Sequence, residues 1–141
     1  MAISARNQLA ATVASITAGS VNDLIQLRLN SGEELAVVIT SGSTQALNLA
    51  QGKEVTAIFK APSVILSTDN EWQLSARNQL AAKVVAIHSG AVNAEVVVKT
   101  QGGTELVAMI TENSLKQLKL AVGSEVNAII KASQIILGVK K

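Results

Sequence analysis

The chain has no cysteine and no tyrosine, and only one residue each of tryptophan, phenylalanine, proline and histidine. Without cysteine there can be no disulfide and no thiolate metal site. A lone histidine, His88, builds neither a zinc site nor a repeated catalytic triad. Paired catalytic acids are also missing, so an enzyme is not expected. Two aromatic side chains cannot furnish the stacking platforms of a single-strand nucleic-acid binder. Charged residues make up 16%, below the roughly 25% of an average soluble domain. The net charge of +2 is too small to argue for nucleic acid. No uninterrupted apolar run approaches the roughly 18 residues of a membrane helix. The opening Met1-Ala2-Ile3-Ser4-Ala5-Arg6 meets a charge at once and holds no apolar signal core, so a soluble cytoplasmic protein with no membrane partner is expected.

What is present is a repeat. Ser4-Ala5-Arg6-Asn7-Gln8-Leu9-Ala10-Ala11 returns letter for letter as Ser75-Ala76-Arg77-Asn78-Gln79-Leu80-Ala81-Ala82. The offset of 71 positions holds without a gap through Gly19/Gly90, Gly32/Gly103, Thr40/Thr111, Ser43/Ser114, Gly52/Gly123, Lys60-Ala61/Lys131-Ala132 and Ile65-Leu66/Ile136-Leu137, with about half of the positions identical. Two copies are too few for a solenoid. Tandem domains are the expectation: 1–68, a linker at 69–73, and 74–141. Units this small bury only about 60% of their unfolded surface. The chain is 48% hydrophobic, nearly all Val, Ile, Leu and Ala; such a surplus predicts a substantial subunit interface.

Within each copy, Leu9–Ile16 is β-compatible. Val21–Leu29 alternates, with Val21, Asp23, Ile25, Leu27 and Leu29 on one face, as Val92, Ala94, Val96 and Val98 are in the second copy. Hairpin turns follow at Ser31-Gly32 and Gln101-Gly102-Gly103, then a third strand at Leu35–Thr40 or Leu106–Thr111. Thr111 or Asn113 reads as the N-cap of a short helix, and Thr40-Ser41-Gly42-Ser43 is its weaker counterpart. Gly52 and Gly123 turn the chain into a fourth strand, Val55–Lys60, and Val64–Leu66 is a short fifth. The order β-β-β-α-β-β is that of an OB-fold, so the fold class is mainly β: two tandem five-stranded OB barrels, each with one short helix. Gly19, Gly90, Gly32 and Gly103 read as turn residues requiring positive φ.

Ser-Ala-Arg-Asn-Gln-Leu, Gly90-Ala91-Val92-Asn93-Ala94-Glu95-Val96, Thr111-Glu112-Asn113-Ser114 and Lys131-Ala132-Ser133 closely resemble the Mop (molybdenum-pterin-binding) domain. Two such domains cover the chain, which therefore resembles the two-domain molbindins of the ModG type. The resemblance implies an OB-fold, a homotrimer, and molybdate or tungstate bound between domains and subunits. For the first copy it implies Ser4, Arg6, Asn7, Thr40, Ser43, Lys60 and Ala61 as oxyanion-binding residues. For the second it implies Ser75, Arg77, Asn78, Val92, Thr111, Ser114, Lys131, Ala132 and Ser133. The only ligand implied is the oxyanion, molybdate with tungstate possible; no organic cofactor is needed, and molybdenum would have no direct protein ligand.

The residue types suit that cargo. Molybdate is a tetrahedral dianion that needs several donors at once. Arg6/Arg77 offers a fork of N–H groups and Lys60/Lys131 a compact ammonium. Ser4/Ser75, Thr40/Thr111 and Ser43/Ser114 offer hydroxyls, the last two pairs at a helix start where free N–H groups favour an anion. At about 1.5–3 kcal/mol per charge-assisted hydrogen bond, five or six reach the ~8 kcal/mol of a micromolar complex even after desolvation losses. On this reading the opening segment is one wall of a site completed by Thr111, Ser114 and Lys131, or by their first-copy partners, with some walls from a neighbouring chain. Gln8 and Gln79 read as mainly structural. Trp72 reads as packing one domain on the other. Asp23 for Ala94 and Gly42 for Asn113 predict unequal sites in the two copies.

The expected function is thus intracellular storage of molybdate. The competing readings are an OB-fold single-stranded nucleic-acid-binding module and the effector half of a molybdate-responsive regulator; the chain shows no helix-turn-helix segment.

Overall fold

The computed structural model describes residues 2–141. The strands are β1 (Asn7–Thr17), β2 (Asn22–Leu29), β3 (Glu34–Thr40), β4 (Glu54–Phe59), β5 (Val64–Ser67), β6 (Asn78–Ser89), β7 (Asn93–Thr100), β8 (Glu105–Thr111), β9 (Glu125–Ile130) and β10 (Ile136–Gly138). Two six-residue helices, α1 (Ser41–Ala46) and α2 (Glu112–Gln117), follow β3 and β8. Single 3-10 turns at Ala61–Ser63 and Ala132–Gln134 precede β5 and β10. Each copy therefore runs β-β-β-α-β-β, and the architecture is the expected pair of curled five-stranded sheets of OB type.

The sheets are not contiguous in sequence. One has the order β10-β4-β1-β2-β3 and the other β5-β9-β6-β7-β8. The chain accordingly falls into unit 1, residues up to Phe59 plus Lys131–Lys141, and unit 2, Lys60–Ile130. The tandem division at 68 and 74 does not coincide with these units, because the last strand of each copy pairs in the other copy's sheet. β10 pairs with β4 through Ile136↔Ile58 and Leu137↔Ala57. β5 pairs with β9 through Val64↔Ile130 and Leu66↔Ala128. Segment 69–73 lies within unit 2, where the Asn127 amide donates to Asn70. No local pattern reveals the exchange, because β5 and β10 carry the same Ile-Leu pair.

Burial follows the alternation. Asp23, Ile25, Leu27 and Leu29 of β2 and Ala94, Val96 and Val98 of β7 face the two cores. Val21 and Val92 precede their strands and are 68% and 72% exposed, so they depart from the expected inward face. Unit 1 is completed by Ile135 and Leu137, and unit 2 by Val64 and Leu66, all buried. β1 and β6 each serve two partners. Their first halves pair with β4 and β9, and their second halves with β2 and β7. A bulge at Val13/Ser15 and another at Val84/Ala86 supply the bend that this requires.

Gly32, Gly52, Gly103 and Gly123 have φ of +91 to +99°. Gly19 and Gly90 do not adopt positive φ; they are glycine because of close approach. A Cβ would stand 2.2 Å from the Asn22 carbonyl oxygen at Gly19 and 2.7 Å from that of Asn93 at Gly90.

Asp23 is the buried carboxylate of unit 1, at 5% exposure. It faces the core side of β2, as the alternation indicated. Hydrogen bonds from Thr44, from Ser41 and from the Gly19 N–H hold its carboxyl below the usual carboxylate range, against the opposing effect of burial. Because the folded value is depressed, its stabilisation is complete above about pH 4 and is lost as pH falls below that.

Two outcomes follow. Gly19→Ala should lower the melting temperature more than Gly32→Ala: the first forces a backbone shift of roughly 1–3 kcal/mol, the second only a left-handed residue at about 1–2 kcal/mol. Equal melting shifts would contradict the close approach. The melting temperatures of wild type and Asp23→Asn should converge as pH is lowered from about 6 to about 2.5; a pH-independent gap would show that the ionised carboxyl is not what stabilises.

Candidate functional site

The repeated octapeptide divides by role. Gln8 and Gln79 turn back on the loops that precede them. Gln8 Nε2 donates to the Ala5 and Ile3 carbonyls at 2.9 and 3.1 Å, and Gln79 Nε2 to those of Ala76 and Leu74 at 2.9 and 3.4 Å. Asn7 and Asn78 open β1 and β6 and are buried, at 2% and 3% exposure. With one carboxamide sunk and the next pinning the loop, Ser4 and Arg6 in unit 1, and Ser75 and Arg77 in unit 2, are left exposed on a fixed backbone. Gln8 and Gln79 are thus structural, as expected; the same geometry makes Asn7 and Asn78 strand-opening residues.

Thr40 and Thr111 are the N-caps. Each accepts from the amide two residues into its helix, Ser43 N–H at 3.1 Å and Ser114 N–H at 3.0 Å. The hydroxyls of each pair also touch, at 2.8 Å for Thr40 and Ser43 and 2.9 Å for Thr111 and Ser114. The first helical N–H is taken as well: Ser41 donates to the Val21 carbonyl at 2.8 Å and Glu112 to that of Val92 at 2.9 Å. The expected pool of free helix-start amides is therefore reduced to the N–H groups of Gly42 and Asn113. What each unit offers instead is a tight hydroxyl pair beside the exposed Val21 or Val92 turn.

Lys60 and Lys131 stand where the chain crosses between units. Lys60 follows Phe59, the sheet partner of Asn7, and Lys131 follows Ile130, the partner of Asn78. Both lysines are exposed. The turn that starts at Ala61 packs on β8, the strand leading to Thr111, and the turn containing Ala132 and Ser133 packs on β3, the strand leading to Thr40. Ala61 and Ala132 are buried at 2% and 5%, which leaves room for no larger side chain. The sequence reading completed the opening loop with Thr111, Ser114 and Lys131, or with their first-copy partners, and drew some walls from a neighbouring chain. By the strand exchange, Ala132 and Ser133 fall in the same unit as Ser4, Arg6, Thr40 and Ser43, and Ala61 falls in the same unit as Ser75, Arg77, Thr111 and Ser114. Sequence alone could not show this, since the two segments are equivalent.

The larger grooves lie elsewhere. One of about 480 Å³ in unit 2 is lined by Lys83, Lys99, Glu125 and Asn127, and one of about 430 Å³ in unit 1 by Thr12, Glu54, Thr56 and Lys140. They occupy equivalent places, yet apart from Glu54/Glu125 their polar residues are not repeated, and they contain none of the candidate residues. The doubled chemistry is on the exposed loops. Trp72 does not pack away; it is 75% exposed and borders a shallow groove with Ile65 and Leu74.

The sequence profile of the TOBE domain matches residues 3–66 and 74–137. The chain is 42% identical, over 99% of its length, to 52% of the molybdenum transport protein ModE of Azotobacter vinelandii. It is 38% identical, over 97% of its length, to 52% of the molybdenum-pterin-binding protein MopA of Rhodobacter capsulatus. It thus spans about half the length of these relatives. The crystal structure of the cytoplasmic molybdate-binding protein ModG with molybdate bound superposes with a TM-score of 0.95 at 48% identity, covering 99% of this chain and all of that one. With both copies matched end to end, this chain belongs to the TOBE-domain family, as a tandem of two Mop-type domains.

Proposed function

We propose that the protein binds molybdate, with tungstate as an alternative cargo, and holds it in the cytoplasm as a store. The observation that carries this reading is the end-to-end correspondence, at 48% identity, with a cytoplasmic protein solved with molybdate bound. The donors are the exposed Ser4-Arg6 and Ser75-Arg77 loops, the hydroxyl pairs Thr40/Ser43 and Thr111/Ser114, and Lys60 and Lys131 at the crossings. Asn7 and Asn78 support them from below, while Ala61, Val92, Ala132 and Ser133 offer backbone or small polar contacts. The task is binding rather than catalysis: it needs positioned donors, and no step of bond making.

A homotrimer fits the surface. The exposed apolar residues recur at equivalent positions, Ile3/Leu74, Val21/Val92 and Ile65/Ile136, so each unit exposes the same set of apolar side chains. Around a threefold axis, three copies of one Arg or Lys would converge and require a counter-anion. The nucleic-acid reading finds no such support. Phe59 is 1% exposed in the unit 1 core, which leaves Trp72 as the one accessible aromatic ring.

Calorimetric titration with molybdate, tungstate, sulfate and phosphate tests the reading. Molybdate and tungstate should bind tightly, and Arg6→Ala and Arg77→Ala should each weaken molybdate by roughly tenfold or more, as loss of a charge-assisted hydrogen bond requires. Equal weak heats for all four anions would refute it. Ligand-linked assembly is tested by melting: at 100 times Kd, molybdate should stabilise by about 2.7 kcal/mol per site, and dialysed protein should sediment as a looser oligomer. Coincident melting curves would exclude that linkage.

A further inference from the structure

The two units hold the same joint by different chemistry. In unit 1 the joint between the Gly19–Asn22 turn and the start of α1 is polar: Asp23 Oδ1 accepts from the Gly19 N–H at 3.1 Å and from Ser41 Oγ at 2.8 Å, while the Thr44 hydroxyl donates to the Thr40 carbonyl at 3.4 Å and, close enough to the carboxyl, helps to lower its pKa. All three repeat-equivalents in unit 2 are changed. Ala94 replaces Asp23, Glu112 replaces Ser41 and Leu115 replaces Thr44. Ala94 and Leu115 are buried at 1% and 9%. The Gly90 N–H bonds the Asn93 carbonyl at 2.9 Å instead of a side chain. The carboxylate has moved from the strand to the helix, where Glu112 Oε2 is buried without a hydrogen-bond partner. The joint matters because it ties the turn to the helix start that carries the candidate ligands. One arm is the turn whose Val21 carbonyl receives the first helical N–H, and the other is the helix start that bears Thr40 and Ser43.

We propose that Asp23 is a positioning residue for the oxyanion site of unit 1, clamping the Gly19–Asn22 turn to the start of α1 so that the Thr40 and Ser43 hydroxyls are presented together, and that unit 2 achieves the same through Leu115. The two units then form two classes of site with separately tunable affinity. Asp23 is 5% exposed and its Oδ1 is taken by Gly19 and Ser41, so it acts through the turn and the helix start rather than on the ligand. The inference rests on the oxyanion-binding reading above and adds to it which residue makes the two halves unequal.

The test is molybdate calorimetry on the full chain. Wild type should show two classes of site. Asp23→Asn should weaken one class by roughly tenfold and leave the other unchanged. Ser41→Ala, which removes one arm and keeps the carboxylate, should weaken the same class by a smaller factor, and it serves if Asp23→Asn does not fold. The triple variant Asp23→Ala, Ser41→Glu, Thr44→Leu, which rebuilds the unit 2 joint in unit 1, should restore the weakened class. A purely structural role would lower the melting temperature without splitting the two classes. If these variants leave both classes unchanged or weaken both equally, or if the triple variant fails to restore the weakened class, the proposal is overturned. Absence of any molybdate heat in wild type would overturn instead the oxyanion reading on which it rests.

Discussion

The pairing of β10 with β4, and of β5 with β9, is the constraint on which the rest of the structure depends. A five-stranded OB sheet of this size has little core to spare. In each unit the final segment supplies two buried side chains, Ile135 just before β10 and Leu137 within it in one, and Val64 and Leu66 of β5 in the other. Neither copy's own first four strands close a core without them. Because the strand is supplied by the other copy, the folding of each unit requires both, and the short crossing segments at Lys60 and Lys131 become structurally obligatory. The Lys-Ala step is retained in both copies for a reason that strand propensity does not supply: the alanine must fit a closed space, and the lysine must stay in solvent beside it.

The same economy appears in the opening octapeptide. Its polar residues are spent at three levels. Asn7 and Asn78 are sunk at the start of the first strand, Gln8 and Gln79 brace the preceding loop, and the Ser and Arg side chains are the exposed ones. A loop braced through its own carbonyls loses little entropy when it binds an anion. The threonine–serine pairs follow the same logic, each hydroxyl already held by its neighbour. Such a surface is preorganised by hydrogen bonds instead of by burial, which is why the candidate donors can be exposed and still be well placed.

Duplication leaves the copies free to diverge where the fold tolerates it. Asp23, Ser41 and Thr44 changed together into Ala94, Glu112 and Leu115, and the local backbone stayed alike: both helices keep a threonine N-cap in extended conformation and six residues of length. A buried carboxylate bonded to Gly19 and Ser41 and a buried leucine are alternative solutions to one packing problem, and they differ in response to acid. Lys53 and Ser124 show the same freedom. Lys53 Nζ donates to the Leu47 carbonyl at 2.6 Å beyond α1, whereas Ser124 Oγ accepts from Ala121.

By itself the sequence determined the element order, the OB class, the inward parity of Asp23 and its strand neighbours, the threonine caps and the structural role of Gln8 and Gln79. All of these are local, set by periodicity, capping chemistry and turn residues acting over a few positions. The tertiary structure alone decided which copy each final strand completes, and hence which unit each Lys-Ala segment falls in. Two nearly identical strands have nearly identical local preferences, so their choice of sheet turns on connection geometry. It also decided that Gly19 and Gly90 serve close approach, because the oxygen they must avoid belongs to a turn whose path no single residue specifies. And it decided that the helix-start amides are mostly consumed, since the Val21 and Val92 carbonyls that consume them lie some twenty positions earlier in the chain.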